Sequence, residues 1–225
     1  MGNRLIGEST MKKLMFGAGA LALLAGCNGS GTSNEVSIAE PQLKEIVVRA
    51  GDPAEAADAL AAMALTDSGS GVLGFASSAI DGATATLTDL SLTGTEGLQA
   101  GSLVLEGLEM EDGQANFGKM SLNDITFSVE DEDVSMNLGS IELINPSPEL
   151  AAWMAASLNG QDAPFPAADQ IVFDSWSMNG LTGEFADLEA EGTFGIEKIE
   201  IRDMVDLKAA QAMISGLSVN GIDDS

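Results

Sequence analysis

The sequence has no histidine, no tyrosine and a single cysteine, and only 9 of its 225 residues are lysine or arginine. Each shortage narrows the chemistry. Without imidazole there is no Ser-His-Asp or Cys-His nucleophile, and the commonest base at neutral pH is missing. A zinc site of nitrogen and sulfur ligands has almost nothing to be built from. One cysteine closes no intrachain disulfide. Thirty-five acidic residues bring the net charge to −26, which repels phosphates and disfavours nucleic acid and anionic membrane surfaces as partners. Aromatic residues make up 4% of the chain, so stacking platforms for sugars are scarce. No catalytic residue, metal ligand or cofactor is assigned from the sequence, and the chain is expected not to be an enzyme.

What is present is an apolar fraction of 45%. That is too high for a disordered acidic chain and, at this length, enough to bury one domain's core.

The N-terminal region reads as an address. Met11-Lys12-Lys13 is a short basic start, followed by the apolar run "LMFGAGALALLAG", too short for a comfortable membrane span. The run ends in Leu24-Ala25-Gly26-Cys27. Here the chain resembles bacterial prolipoproteins, whose lipobox reads Leu-Ala/Ser-Gly/Ala-Cys, and all four positions match. The resemblance implies cleavage between Gly26 and Cys27, a diacylglyceryl group on Cys27, and membrane attachment through it. Each buried methylene contributes about 0.8 kcal/mol, so two or three acyl chains anchor firmly. In that family Asp after the Cys often retains the protein in the inner membrane. Asn28 stands here, which implies the outer membrane. Residues 1–10 read as an upstream extension ahead of a start at Met11. Residues 11–26 are the signal peptide, and 27–40 the lipidated Cys and a Gly/Ser-rich tether. Residues 41–225 form a single β-rich domain with weak internal repeats.

In that domain one spacing recurs, Φ-x-Φ-x-x-Φ-x-Φ with Φ apolar. It is carried by Ala85/Leu87/Leu90/Leu92, Leu103/Leu105/Leu108/Met110, Met120/Leu122/Ile125/Phe127, Met136/Leu138/Ile141/Leu143, Ile171/Phe173/Trp176/Met178 and Phe194/Ile196/Ile199/Ile201. A weaker copy uses Ile214, Leu217 and Val219. Alternation predicts strands with one apolar face. The extra residue in the middle would turn later side chains to the wrong face unless a bulge absorbs it. The fold class is therefore mainly β with a few covering helices: a curved antiparallel sheet of repeated, bulged, amphipathic strands, with a β-solenoid as the alternative. "FSVEDEDVSM" (127–136) reads as a hairpin with an acidic tip. The texture resembles, in pattern only, the β-rich segments of bacterial AsmA-like lipid-transfer proteins. It carries no specific motif and transfers no site.

Three helices are expected as covers. Asp52-Pro53 opens one running to Leu65, and Ser147-Pro148 opens one that stops at Asn159-Gly160. Asp203 or Asp206 opens a third, with Leu207, Ala210, Met213 and Ile214 inside and Gly216 as its end. The last two give a strand-then-helix duplication. The chain is also read as a candidate piece of a longer repeat array.

Candidate sites are few. An apolar groove lined by Leu103, Leu105, Met120, Leu122 and Phe127 would take an acyl chain or another apolar ligand. The acidic run Glu130 to Asp133, and Glu109, Glu111 and Asp112, offer oxygen ligands for Ca²⁺, but a solvated turn accounts for them without a metal. Trp153 and Trp176 fall on apolar stripes and read as core. The expected function is a non-enzymatic envelope lipoprotein, a scaffold or a binder of lipid or other apolar ligands. A partner-binding assembly module and a carboxylate-dependent hydrolase are the alternatives.

Overall fold

A computed structural model describes residues 45–66, 73–92, 98–129, 134–187 and 190–221. A helix α1 (Ala56–Ala62) precedes β1 (Leu73–Gly74), β2 (Ser77–Asp81), β3 (Thr84–Leu92), β4 (Leu98–Glu106), β5 (Glu109–Glu111), β6 (Gln114–Asn116), β7 (Lys119–Val129) and β8 (Val134–Ile144). Helix α2 (Pro148–Leu158) then leads to β9 (Phe173–Asp187), β10 (Ala190–Val205), β11 (Lys208–Ser215) and β12 (Ser218–Gly221). The main sheet runs β1-β3-β4-β7-β8-β9-β10-β11, with β2 also on β3 and β12 also on β10. All its pairings are antiparallel. The meander expected from the alternating pattern is what forms, and a solenoid coil is not.

The extra residue in each strand is absorbed along a line across the sheet. In β7 and β8, Asn123 faces Ser140 and Ile125 faces Leu138, which leaves Asp124 opposite Gly139 with the register unchanged on both sides. The same line passes through Asp89, Gly101, Asp124, Gly139, Gly180, Glu197 and Gly216. Ladder contacts skip every one of these positions. A second line passes through Gly107, Gly118, Asn145, Asp174, Asp203 and Ala210. Beyond it the β4–β7 hairpin continues in the same register as β5–β6, tipped by Asp112-Gly113.

The two lines lie six residues apart in each of β4 and β7–β11: Gly101 to Gly107, Gly118 to Asp124, Gly139 to Asn145, Asp174 to Gly180, Glu197 to Asp203 and Ala210 to Gly216. The residue that closes each step has positive φ, as at Asp124 (54°), Asn145 (51°), Gly180 (69°), Asp203 (50°) and Gly216 (65°). The residues that open these steps do not. All closing residues are Gly, Asp or Asn, the types that accept the left-handed conformation at least cost. The kink resets the side-chain phase, so the apolar pairs on either side of it share one face.

Between the lines that face is the core. Leu87, Leu103, Leu105, Met120 and Leu143 pack with Ala56, Ala59, Leu60 and Met63 around α1 and with Leu150, Ala151 and Ala155 of α2. Helix α2 starts as the sequence predicts. The Ser147 Oγ accepts from the Leu150 N–H at 3.4 Å, Pro148 occupies the first turn, and Gly160 follows the stop with φ 66°. Helix α1 is shorter than expected, because 53–55 form a turn in which Asp52 accepts from the Ala54 N–H. The third helix does not form. Residues 208–215 are strand β11, joined to β10 through a tight turn at Asp206 and Leu207, both with positive φ. Pairing along β10 overrides the helical propensity of "LKAAQAM". Leu207, Met213 and Ile214 are accordingly exposed rather than inside, and the strand-then-helix duplication is lost.

Candidate functional site

The groove expected from the sequence is closed. Leu103 and Leu105 are fully buried and Met120 is nearly so, sealed in the core beneath the helices. Leu122 and Phe127 are half-buried. Leu122 borders a crevice with Leu73, Leu90, Leu98, Ile125 and Leu158, but its volume is ≈ 30 Å³, the scale of one water and too small for an acyl chain. A wider, open hollow of ≈ 290 Å³ lies between α2 and the following loop, lined by Trp153, Pro164, Phe165, Pro166, Glu149 and Gln170. The Trp153 and Phe165 rings meet edge to face at 5.1 Å. Trp153 and Trp176 both pack on the core, as their stripes predict.

Several carboxylates take part in ion pairs. On the polar face, Lys119 Nζ sits 2.8 Å from Glu142 Oε1, Arg202 Nη2 2.9 Å from Glu200 Oε1, and Lys198 Nζ 3.3 Å from Glu200 Oε2. Burial pushes the Glu200 carboxyl up, but hydrogen bonds from Arg202 and Lys198, together with their charges, outweigh it and hold the group below its ordinary value. Among the described residues no three acids or cysteines gather into a metal site. Glu109 and Glu111, considered above as Ca²⁺ ligands, lie 3.9 and 3.1 Å from Arg49 Nη1 instead. The acidic tip at 130–133 lies outside the described residues, as do Gly26 and Cys27.

Arg49 belongs to a strap that the sequence does not announce. Residues 47–52 lie along the second line of kinks. Asn145, held left-handed at its step's close, accepts from the Arg49 N–H at 2.9 Å and donates to Val47 O at 2.8 Å and to Asp174 Oδ2 at 2.6 Å. The Arg49 guanidinium donates to Pro146 O at 2.6 Å and Phe117 O at 3.1 Å. A Cβ at Gly107 or Gly118 would lie 2.1 or 2.3 Å from Arg49 O, so the strap sits where only glycine leaves room. It lies in the first described stretch of the chain. The one signal for it in the sequence is the step Gly139 to Asn145; nothing marks Arg49.

The remaining feature is an edge. β11 and β12 lie end to end along β10 and form the last row of the sheet. Four large apolar side chains are exposed along it, Met213, Ile214, Leu217 (72%) and Val219 (67%), with Leu207 in the turn that enters it and Val205 at the end of β10 beside it. From Leu207 to Gly221 the single charge is Lys208, in a chain of net charge −26. Edge strands are usually blunted by charge, proline or a cover, and this one carries little of the first and none of the second. The sequence signal was available as an uncharged run, but the helical reading of 207–214 hid it.

The sequence-family model for the prokaryotic membrane lipoprotein lipid attachment site matches residues 11–28. No curated protein and no solved structure matches the chain. Among the described residues no helix is long and apolar enough to cross a membrane. The attachment site supplies the membrane contact instead: the chain carries a bacterial prolipoprotein lipobox, and it is an exported cell-envelope lipoprotein anchored through lipidated Cys27.

Proposed function

We propose that this lipoprotein is a non-enzymatic docking module of the envelope, anchored in the outer membrane, that binds a protein partner by strand addition along β11–β12. The observation that carries the reading is the last row's exposed apolar residues on an almost uncharged strand edge. An added strand would satisfy the edge's free backbone groups and cover alternate side chains on both faces. The filled core and the ≈ 30 Å³ crevice favour this over carriage of a lipid or another apolar ligand.

The test is photo-crosslinking in intact cells from a reactive residue at Leu217, with exposed Asp162 as the control position. A discrete adduct from Leu217 and none from Asp162 is expected. No adduct from the edge, or the same adducts from both positions, refutes the reading.

A further inference from the structure

The rule that each strand opens a step with an ordinary residue and closes it with a left-handed one restricts what can add to the edge. In the sheet, each closing residue faces an opening residue of its antiparallel neighbours: Asp124 faces Gly101 and Gly139, and Gly180 faces Gly139 and Glu197. β11 opens at Ala210 and closes at Gly216. A strand joining its free side must therefore run antiparallel, place an opening residue opposite Gly216, and place a closing residue opposite Ala210. A generic extended peptide lacks the left-handed residue six positions on, and would fit one line at most.

The geometry points to a second copy of this chain as the occupant, paired β11 to β11 about a two-fold axis through Met213. That axis sets Gly216 opposite Ala210 of the second copy, and Ala210 opposite its Gly216, so both kink lines continue across the joint. It also sets Met213 opposite Met213, Ala212 opposite Ile214 and Leu217 opposite Ala209 of the second copy. The exposed Met213, Ile214 and Leu217 are thus each set against an apolar residue of the second copy. A shift of two residues either way would put a left-handed residue against a flat stretch of strand. Every neighbouring pair on the first line of kinks contains a glycine, and Gly216 with Ala210 keeps that pattern. Charge does not oppose the joint, because Lys208 is the sole charge from Leu207 to Gly221 and would face Ser218 of the second copy. The interface is isologous and closes at two copies.

The inference rests on the docking reading above, and a thiol test separates the two. The chain's one cysteine, Cys27, carries the lipid, so an introduced cysteine is the only free thiol. Residues directly opposed in an antiparallel pair have Cα atoms ~4.5 or ~5.5 Å apart, within the ~4.4–6.8 Å that a disulfide spans. Met213→Cys in the full lipoprotein, oxidised in intact cells, is expected to double in mass on a non-reducing gel. Ser215→Cys alone is not, because its copies would sit roughly 13 Å apart along the strands. Ser215→Cys co-expressed with Gln211→Cys is expected to cross-link. Cross-linking of Ser215→Cys alone overturns the proposed register. Absence of the Met213→Cys dimer overturns self-pairing, and a thiol reagent applied to that variant then decides the rest. If its introduced thiol is shielded in intact cells, another partner holds the edge and the docking reading stands. If it reacts freely, both fall.

Discussion

Replacing Gly101 with alanine tests whether the kink lines are held by side-chain room between strands. The backbone at Gly101 is not left-handed, so alanine fits its dihedrals, and the shorter list of unfolded conformations should stabilise the protein by about 0.4–1 kcal/mol. Against this, the new Cβ would stand 3.0 Å from Asp124 Cβ and 3.1 Å from Asp124 Oδ2. Overlap of that kind costs about 1–3 kcal/mol where neighbours cannot retreat, and Asp124 cannot easily retreat because its φ of 54° is fixed by the step it closes. The net expectation is a loss of roughly 1–2 kcal/mol from these two terms. Asp124→Gly removes the obstructing side chain and keeps the left-handed backbone at no steric cost, so alone it should be nearly neutral. In that background Gly101→Ala should become neutral or stabilising. A double-mutant cycle by urea denaturation, followed through Trp153 and Trp176 fluorescence, should give a coupling of about 1–3 kcal/mol. Additivity within about 0.5 kcal/mol would refute the steric account of the lines.

Three further outcomes follow from the same structure. Arg49→Ala removes the guanidinium's hydrogen bonds to Phe117 O and Pro146 O; a loss of about 1–3 kcal/mol is expected, with faster amide exchange confined first to the strap, and unchanged exchange there would contradict its role. Leu105→Ala should destabilise by about 2–5 kcal/mol, as deletion in a filled core does, and a cost under about 1 kcal/mol would revive an open groove. Glu200 has its folded pKa lowered below the ordinary 4.5, so its contribution is complete above that pH and is lost as pH falls through the depressed value. Glu200→Gln should therefore lower the melting temperature at pH 7, and the gap to wild type should narrow as the pH falls below the ordinary carboxylate range; a gap that does not narrow on acidification contradicts the assignment.

The sheet was legible because its apolar pairs alternate cleanly, and alternation is a local property of the chain. "MSLNDITF" (120–127) shows both the reach and the limit of that reading. Met120, Leu122, Ile125 and Phe127 do line one face, and Asn123-Asp124 does mark the bend. The copy at Leu103 to Met110, however, spans the second line, at Gly107, whereas the copy at Met120 to Phe127 spans the first, at Asp124. One spacing in the sequence therefore conflated two places in the fold. The six-residue step from Gly118 to Asp124 distinguishes them, but only once the partner strands are known. β11 was misread because Leu207, Ala210, Met213 and Ile214 also fit a helical stripe, and the choice is made by β10, a long-range neighbour. Arg49 was invisible for a related reason: its partners Phe117, Asn145 and Pro146 are far away in sequence, and no local pattern records them.

The common six-residue step gives the strands one shared register. A row keeps register with its neighbours through its opening and closing residues and the two apolar side chains between them. Removing or inserting one residue inside a step would throw that row out of phase with both neighbours. Adding or deleting a whole hairpin would leave every remaining pair matched, because direction and kink order are restored after two rows. Related chains should therefore differ in length by pairs of rows, with the steps themselves kept at constant length.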